Sequence, residues 1–192
     1  MGIGYATAYR AGIIPWEKAG RRDQPALERL LGREERDRPD QVRRALDLGC
    51  GRGAHTRLLV ERGWDAMGID NVRQAVDVAV RRNGLDDARF VIGDVRHLVH
   101  SGVGTAFDLF LDVGCFQGLD AAGRTRMAGG VTTLAAPGAT ILLSTSPRRW
   151  PGARQVEAEH LEQSFEGWRV SQPYDPESAD EGWGSWFRLV RA

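Results

Sequence analysis

Gly49, Gly51 and Gly53 stand at alternate positions directly after the apolar run Ala45-Leu46-Asp47-Leu48. Glycine at such a junction permits a tight turn and lets the backbone come close to a ligand. A helix starting just beyond it offers unpaired N–H groups to the same ligand. Acids follow at comparable places. Asp70 ends the run Ala66-Met67-Gly68-Ile69, and Asp94 follows Arg89-Phe90-Val91-Ile92-Gly93. Asp70 is placed to meet a ribose diol. Asp94 is placed to accept a hydrogen bond from an adenine amino group, with Val95 packing on the ring. A further apolar run, Phe107 to Val113, carries Asp112 near its end and leads into Gly114-Cys115-Phe116. Binding of a nucleoside at neighbouring chain turns is the chemistry these residues suit.

The elements that must hold them alternate. Strands are predicted at Ala45–Leu48, Ala66–Ile69, Arg89–Ile92, Phe107–Val113 and Thr140–Ser144. Trp168-Arg169-Val170 opens a sixth strand, and Ser185–Val190 forms a seventh. Helices are predicted after the glycine segment to about Arg62, from Asn71 to Gly84, over Arg124–Ala135 and over Val156–Phe165. In the second of these, Val72, Ala75, Val76, Ala79 and Val80 fall on one helical face, with Asn71 as N-cap and Gly84 as stop. Pro137-Gly138 is expected to be a turn. Upstream, an irregular arm leads to a short helix with Ala26, Leu27, Leu30 and Leu31 as its apolar face. Arg33 to Asp40 reads as a charged, solvated linker.

Alternating strand and helix predicts an α/β fold with a mostly parallel sheet covered on both faces. No helical pattern separates the sixth and seventh strands, so an antiparallel hairpin is expected at the sheet edge. Ligands of such sheets bind beyond the carboxyl ends of the strands, where the strand order reverses.

Composition narrows the function further. The chain has 192 residues, of which 42% are hydrophobic and 27% charged, and Lys+Arg and Asp+Glu both count 26. That size fits one domain. Zero formal net charge removes the field on which most nucleic-acid binders rely, so no nucleic-acid partner is expected; Arg148-Arg149 is the small basic candidate. Cys50 and Cys115 are too far apart in sequence to suggest a metal-ligand pair, and a reducing cytoplasm is the expected setting. No apolar run reaches membrane-spanning length, and no metal is expected. No heptad or apolar stripe specifies an oligomer.

The segment Asp47-Leu48-Gly49-Cys50-Gly51-Arg52-Gly53 resembles the D-x-G-x-G-x-G signature of Rossmann-like (class I) methyltransferases that use S-adenosylmethionine. Asp70, Gly93-Asp94 and Phe107-Asp108 to Asp112 fall where the later motifs of that family fall. The resemblance runs from about Arg43 to the C-terminus. It implies a seven-stranded sheet in the order 3-2-1-4-5-7-6 with strand 7 antiparallel. Ile14-Pro15-Trp16-Glu17, with Pro25 and Leu27 following, is also similar to the N-terminal segment of the thiopurine, thiol and tellurite-resistance group of small-molecule methyltransferases. In that group the arm folds over the cofactor. Residues 1–40 are therefore expected to form an arm and helix serving as a lid, and residues 41–192 the methyltransferase domain.

The resemblance implies roles as well. Trp16, Asp47, Gly49, Cys50, Gly51, Gly53, Asp70, Asn71, Asp94, Val95, Asp112, Val113 and Cys115 would surround S-adenosylmethionine or its product S-adenosylhomocysteine. Tyr5, Tyr9, Phe116, Gln117 and Trp150 would lie on the side of a small, partly apolar acceptor with an S, O or N nucleophile. No general base is named, since His55, His97, His100 and His160 all have ordinary packing or surface readings. Rival readings stay open. With Ala54 the glycine segment also satisfies the dinucleotide form G-x-G-x-x-G/A, as in an NAD(P)-dependent oxidoreductase. The acceptor of a methyltransferase can also be a protein or RNA, and a binding module can keep the fold without the reaction.

Overall fold

Side chains along the central strands alternate between two apolar layers. Leu46, Leu48, Phe110, Ile141, Leu143, Phe187 and Leu189 enter one cluster, while Ala45, Leu109, Leu111, Leu142 and Trp186 enter another. A sheet whose strands feed cores on both faces must be covered by helices on both. The computed structural model describes residues 7, 24–38, 42–145, 154–171 and 185–192. In chain order the described elements are α1 (Gln24–Arg36), β1 (Arg44–Leu48), α2 (Ala54–Glu61), β2 (Asp65–Asp70), α3 (Arg73–Arg82), β3 (Phe90–Ile92), β4 (Phe107–Val113), α4 (Ala121–Leu134), β5 (Ala135–Thr145), α5 (Ala158–Ser164), β6 (Trp168–Ser171) and β7 (Ser185–Arg191). The sheet has seven strands in the order β3-β2-β1-β4-β5-β7-β6. β7 runs antiparallel to β5 and β6, and the other pairs are parallel. The expected fold class and strand order are those observed.

Register sets the strand tips level. Leu48 pairs with Ile69 on one side and Asp112 on the other, and Asp70 pairs with Ile92. Gly49, Asp70, Asp112 and Gly93 therefore come off the same edge. β1 and β4 lie on opposite sides of the point where strand order reverses, which is where such sheets open a crevice.

The structure revises several local expectations. α1 continues through Arg36, so residues 33–36 are not linker. Pro25 sits in the first turn of α1, where its missing N–H costs nothing. Glu34, in the charged stretch, is fully buried. It accepts hydrogen bonds from Arg188 (Nε 2.6 Å, Nη2 3.1 Å), Arg38 (2.9 Å) and Thr140 (3.0 Å). Burial alone would raise its carboxyl, but Arg188 foremost, with Arg38 and Thr140, holds it below the usual range. The network ties α1 to β5 and β7. Asn71 is not the cap of α3, which starts at Arg73 with Val72 as N-cap; the N–H of Val72 is held by Asp70 Oδ1 at 2.8 Å. Pro137-Gly138 is a bulge within β5. Phe107 pairs with Ala135 and Leu109 with Thr140, so β5 carries extra residues there. α5 is shorter than expected at both ends, and an unforeseen 3-10 segment spans Val95–His100 with a kink at His97.

α4 begins earlier than the expected Arg124, because Asp120 caps it by accepting the N–H of Gly123 at 2.8 Å. Its Gly129-Gly130 pair does not break it, and the two glycines differ. A Cβ on Gly130 would stand 3.0 Å from Leu98 Cβ, so this glycine admits the Val95–His100 segment against the helix. A Cβ on Gly129 meets nothing within 4 Å. Gly129→Ala is expected to stabilise the fold by about 0.5–1 kcal/mol through lost chain entropy. Gly130→Ala should destabilise it. Urea titrations of both variants check the opposite signs.

Candidate active site

The turn after β1 is built from glycines that other residues could not replace cheaply. Gly49, Gly51 and Gly53 have φ of 72°, 54° and 78°, a region L side chains seldom adopt. A Cβ on Gly49 would lie 2.8 Å from Cys115 Cβ and 2.9 Å from its Sγ. On Gly53 it would lie 2.7 Å from a Phe90 ring carbon and 3.0 Å from Ala79 Cβ. The turn is fastened from β2. Gly49 and Cys50 both donate to the Ile69 carbonyl, at 2.8 and 3.0 Å. Asn83 Nδ2 donates to the Arg52 carbonyl at 2.9 Å and so joins the turn to the end of α3.

Three carboxylates surround this turn. Asp47 is 2% exposed and accepts a 2.7 Å hydrogen bond from the Thr56 hydroxyl. Burial pushes its carboxyl up to about 7, and nearby Asp70 adds to the rise while Thr56 opposes it. Asp70 Oδ2 accepts the Gly51 N–H at 2.9 Å, while its Oδ1 holds Val72. Burial raises its carboxyl too, against those backbone bonds. Asp112 is fully buried and accepts the N–H groups of Cys115 (2.8 Å) and Phe116 (2.9 Å). Burial pushes it up to about 7, with Asp47 adding to the rise. Among the described residues no salt bridge reaches any of the three. An acid cluster held by hydrogen-bond donors, with no salt bridge among the described residues, is a site complementary to positive charge.

Asp94 has a different environment. It caps the Val95–His100 segment through the Arg96 N–H at 2.9 Å and forms a forked ion pair with the Arg96 guanidinium. The Arg96 side chain holds its carboxyl below the usual range. Val95 is buried in the main core. Asn71 is exposed beside Asp70, and Val113 is half-buried at the tip of β4. Gly114 has φ 87°, and Gln117 packs over it, with Nε2 3.2 Å from where a Cβ would stand.

The cysteines are poor nucleophiles here. Burial, together with surrounding acids, raises the thiols of both Cys50 and Cys115 well above their ordinary value. Burial also pushes His55 down to about 4, which leaves its imidazole neutral at physiological pH. The ring nitrogen of His160 accepts the Glu157 N–H at 3.1 Å and caps α5. Phe116, expected on the acceptor side, is fully buried against Phe165 with ring centroids 5.7 Å apart.

The structure thus brings Asp47, Gly49, Cys50, Gly51, Gly53, Asp70, Asp112 and Cys115 to one edge, with Asp94 beyond β3. Tyr5, Tyr9, Trp16 and Trp150 lie outside the described residues. Thr56, Asn83 and Arg96 were not anticipated. Arg96 had a signal, since an arginine two residues after a turn aspartate can fold back on it. Thr56 had none, because its partner is on the preceding strand.

Parts of the chain are similar to known proteins. Residues 45–138 match the family described as a methyltransferase domain. The 2-heptyl-1-hydroxyquinolin-4(1H)-one methyltransferase of Mycobacteroides abscessus is 29% identical over 101 residues, which cover 51% of this chain and 44% of that protein. The trans-aconitate 2-methyltransferase of Delftia acidovorans is 42% identical over 79 residues, which cover 40% of this chain and 27% of that protein. The chain therefore spans less than half the length of these curated relatives. A solved structure of the Burkholderia thailandensis 1,6-didemethyltoxoflavin-N1-methyltransferase, with that compound and S-adenosylhomocysteine bound, superposes with a TM-score of 0.68 at 21% identity. The superposition covers 97% of this chain and 84% of the other. Among the described residues no helix is long and apolar enough to cross a membrane.

Proposed function

We propose, from the match of residues 45–138 to a methyltransferase domain and from the sheet order, that this chain is a Rossmann-like (class I) methyltransferase that moves a methyl group from S-adenosylmethionine to an S, O or N atom of a small, partly apolar molecule. The observation that carries the proposal is the set of buried acids, Asp47, Asp70 and Asp112, around the Gly49–Gly53 turn, with no salt-bridge partner among the described residues. A sulfonium cofactor is a cation and fits such a set.

When bound, the sulfonium supplies a methyl group already activated for displacement. The chain's part is to bind, align and keep water out. A carboxylate has about four lone-pair directions, and Asp70 accepts the N–H groups of Gly51 and Val72, with that of Asn71 also acting on it, which leaves acceptor capacity toward a ribose diol. The positive-φ turn lets the backbone approach the cofactor's amino-acid arm. Asp94 and Val95 would hold the adenine, with Asn71 beside the ribose. Asp112 shapes the segment to Cys115 near the methyl group, and its oxygens are committed to backbone N–H groups. By the resemblance, the segment around Trp16 would cover the cofactor. Alignment of this kind accounts for about 7–11 kcal/mol of a barrier. A thiol acceptor, with a reference pKa of about 8.5, then needs little further help.

The test is calorimetric titration with S-adenosylmethionine and, separately, with NADH. Binding of the first alone is expected. Tight binding of NADH alone would make the protein an oxidoreductase. A pH series gives a second expectation. Asp47 and Asp112 lose their protons near pH 7, and only their charged forms attract a sulfonium. Affinity for S-adenosylmethionine relative to the uncharged-sulfur product should therefore rise about tenfold from pH 6 to pH 8, or about 1.4 kcal/mol. Stability of the free protein moves the other way. Acids raised on folding bind more protons folded than unfolded, so their contribution falls as pH climbs from about 4 to about 7. Asp47→Asn should melt higher than the natural protein at pH 8 and flatten the affinity profile.

A further inference from the structure

Arg124 is the charged group near the tip of β4 that the proposed chemistry leaves unused. It lies in the first turn of α4 and is 6% exposed. Its guanidinium folds back toward the segment after β4. Nε donates to the Phe116 carbonyl at 3.3 Å, and the guanidinium carbon stands 4.8 Å from the centroid of the Phe116 ring. Its Nη2 is buried with no hydrogen-bond acceptor among the described residues. A second arginine is near. Arg154 donates its backbone N–H to the Gln117 carbonyl at 2.8 Å, and its side chain is exposed. The two cations repel: after burial, Arg154 is the next influence disfavouring charge on Arg124. Asp112 favours that charge, but the Asp112 oxygens already hold backbone N–H groups.

A buried donor without a partner is destabilising, and such a group in a native fold calls for a reason. Arg124 faces a carboxylate already committed to backbone N–H groups, and Arg154, whose carboxylate neighbour is Asp120, adds positive charge beside the segment where the methyl acceptor would sit. We propose that the acceptor carries a carboxylate or comparable oxyanion, received by Arg124 from within and by Arg154 at the rim. A guanidinium fork matches the paired oxygens of a carboxylate. This inference rests on the methyltransferase reading and narrows its acceptor class.

The test uses protein saturated with S-adenosylhomocysteine, so that cofactor binding is read first and by itself. Benzoate, trans-aconitate and tricarballylate are then titrated alongside their amides, at low and high salt. The carboxylates are expected to bind, the amides at least about tenfold more weakly, with the preference shrinking in salt. Arg124→Met should abolish the preference while keeping affinity for S-adenosylhomocysteine within about threefold, and Arg124→Lys should restore part of it. Arg154→Ala, at an exposed position that does not threaten folding, should weaken carboxylates about three- to tenfold. The proposal is overturned if the loaded protein binds no carboxylate, binds carboxylates and amides alike, or keeps its preference in both Arg124→Met and Arg154→Ala. Failure to bind S-adenosylhomocysteine at all would instead remove the cofactor assignment.

Discussion

Asp70→Ala is expected to lower affinity for S-adenosylhomocysteine by about 10²–10⁴-fold. Hydrogen bonds to a charged group contribute about 1.5–3 kcal/mol each, a ribose diol would make two, and each 1.4 kcal/mol is tenfold. The same change frees the N–H groups of Gly51 and Val72, so the turn loses one of its ties to β2 while those of Gly49 and Cys50 to Ile69 remain. A modest fall in melting temperature should accompany a large loss of binding. Asp70→Asn separates the contributions. An amide oxygen can still hold one backbone N–H, and the loss of charge alone should cost at least about tenfold. Titration calorimetry on both variants reads the result. An affinity within threefold of the natural protein would place the ribose elsewhere.

Gly53→Ala is expected to destabilise the protein by about 2–5 kcal/mol. The left-handed backbone at Gly53 (φ 78°) costs a non-glycine residue about 1–2 kcal/mol. The new Cβ would stand 2.7 Å from a Phe90 ring carbon and 3.0 Å from Ala79 Cβ, and overpacking of this kind costs about 1–3 kcal/mol more. Phe90 and Ala79 are both buried, so neither can swing into solvent. Gly84, with φ 64° but nothing within 4 Å of a Cβ, is the control. Gly84→Ala should pay the backbone cost alone. Chemical denaturation separates the two, and equal effects would contradict the packing argument.

What was legible in the chain was local chemistry. Glycines requiring positive φ and acids closing apolar runs announce themselves residue by residue, and the strand–helix rhythm constrains topology through the handedness of crossovers. The tip residues followed from that, and the sheet order from the resemblance to the methyltransferase family. Long-range partners did not. Glu34 reads as solvated charge until folding brings Arg188 of β7 against it. Thr56 reaches Asp47 only because the glycine turn reverses the chain. Gly129 and Gly130 look alike in sequence, yet only Gly130 faces Leu98. The bulge at Pro137-Gly138 looks like a turn from within β5, and its nature is set by the pairing with β4.

The central claim is that the turns after β1, β2, β3 and β4 serve one ligand. Amide hydrogen exchange with and without S-adenosylhomocysteine tests it most directly. Slowed exchange is expected together in residues 49–56, 70–73, 94–96 and 112–117, with the opposite ends of the same strands unchanged. Protection confined to a single one of these segments, or found only at the opposite ends of the strands, would contradict it.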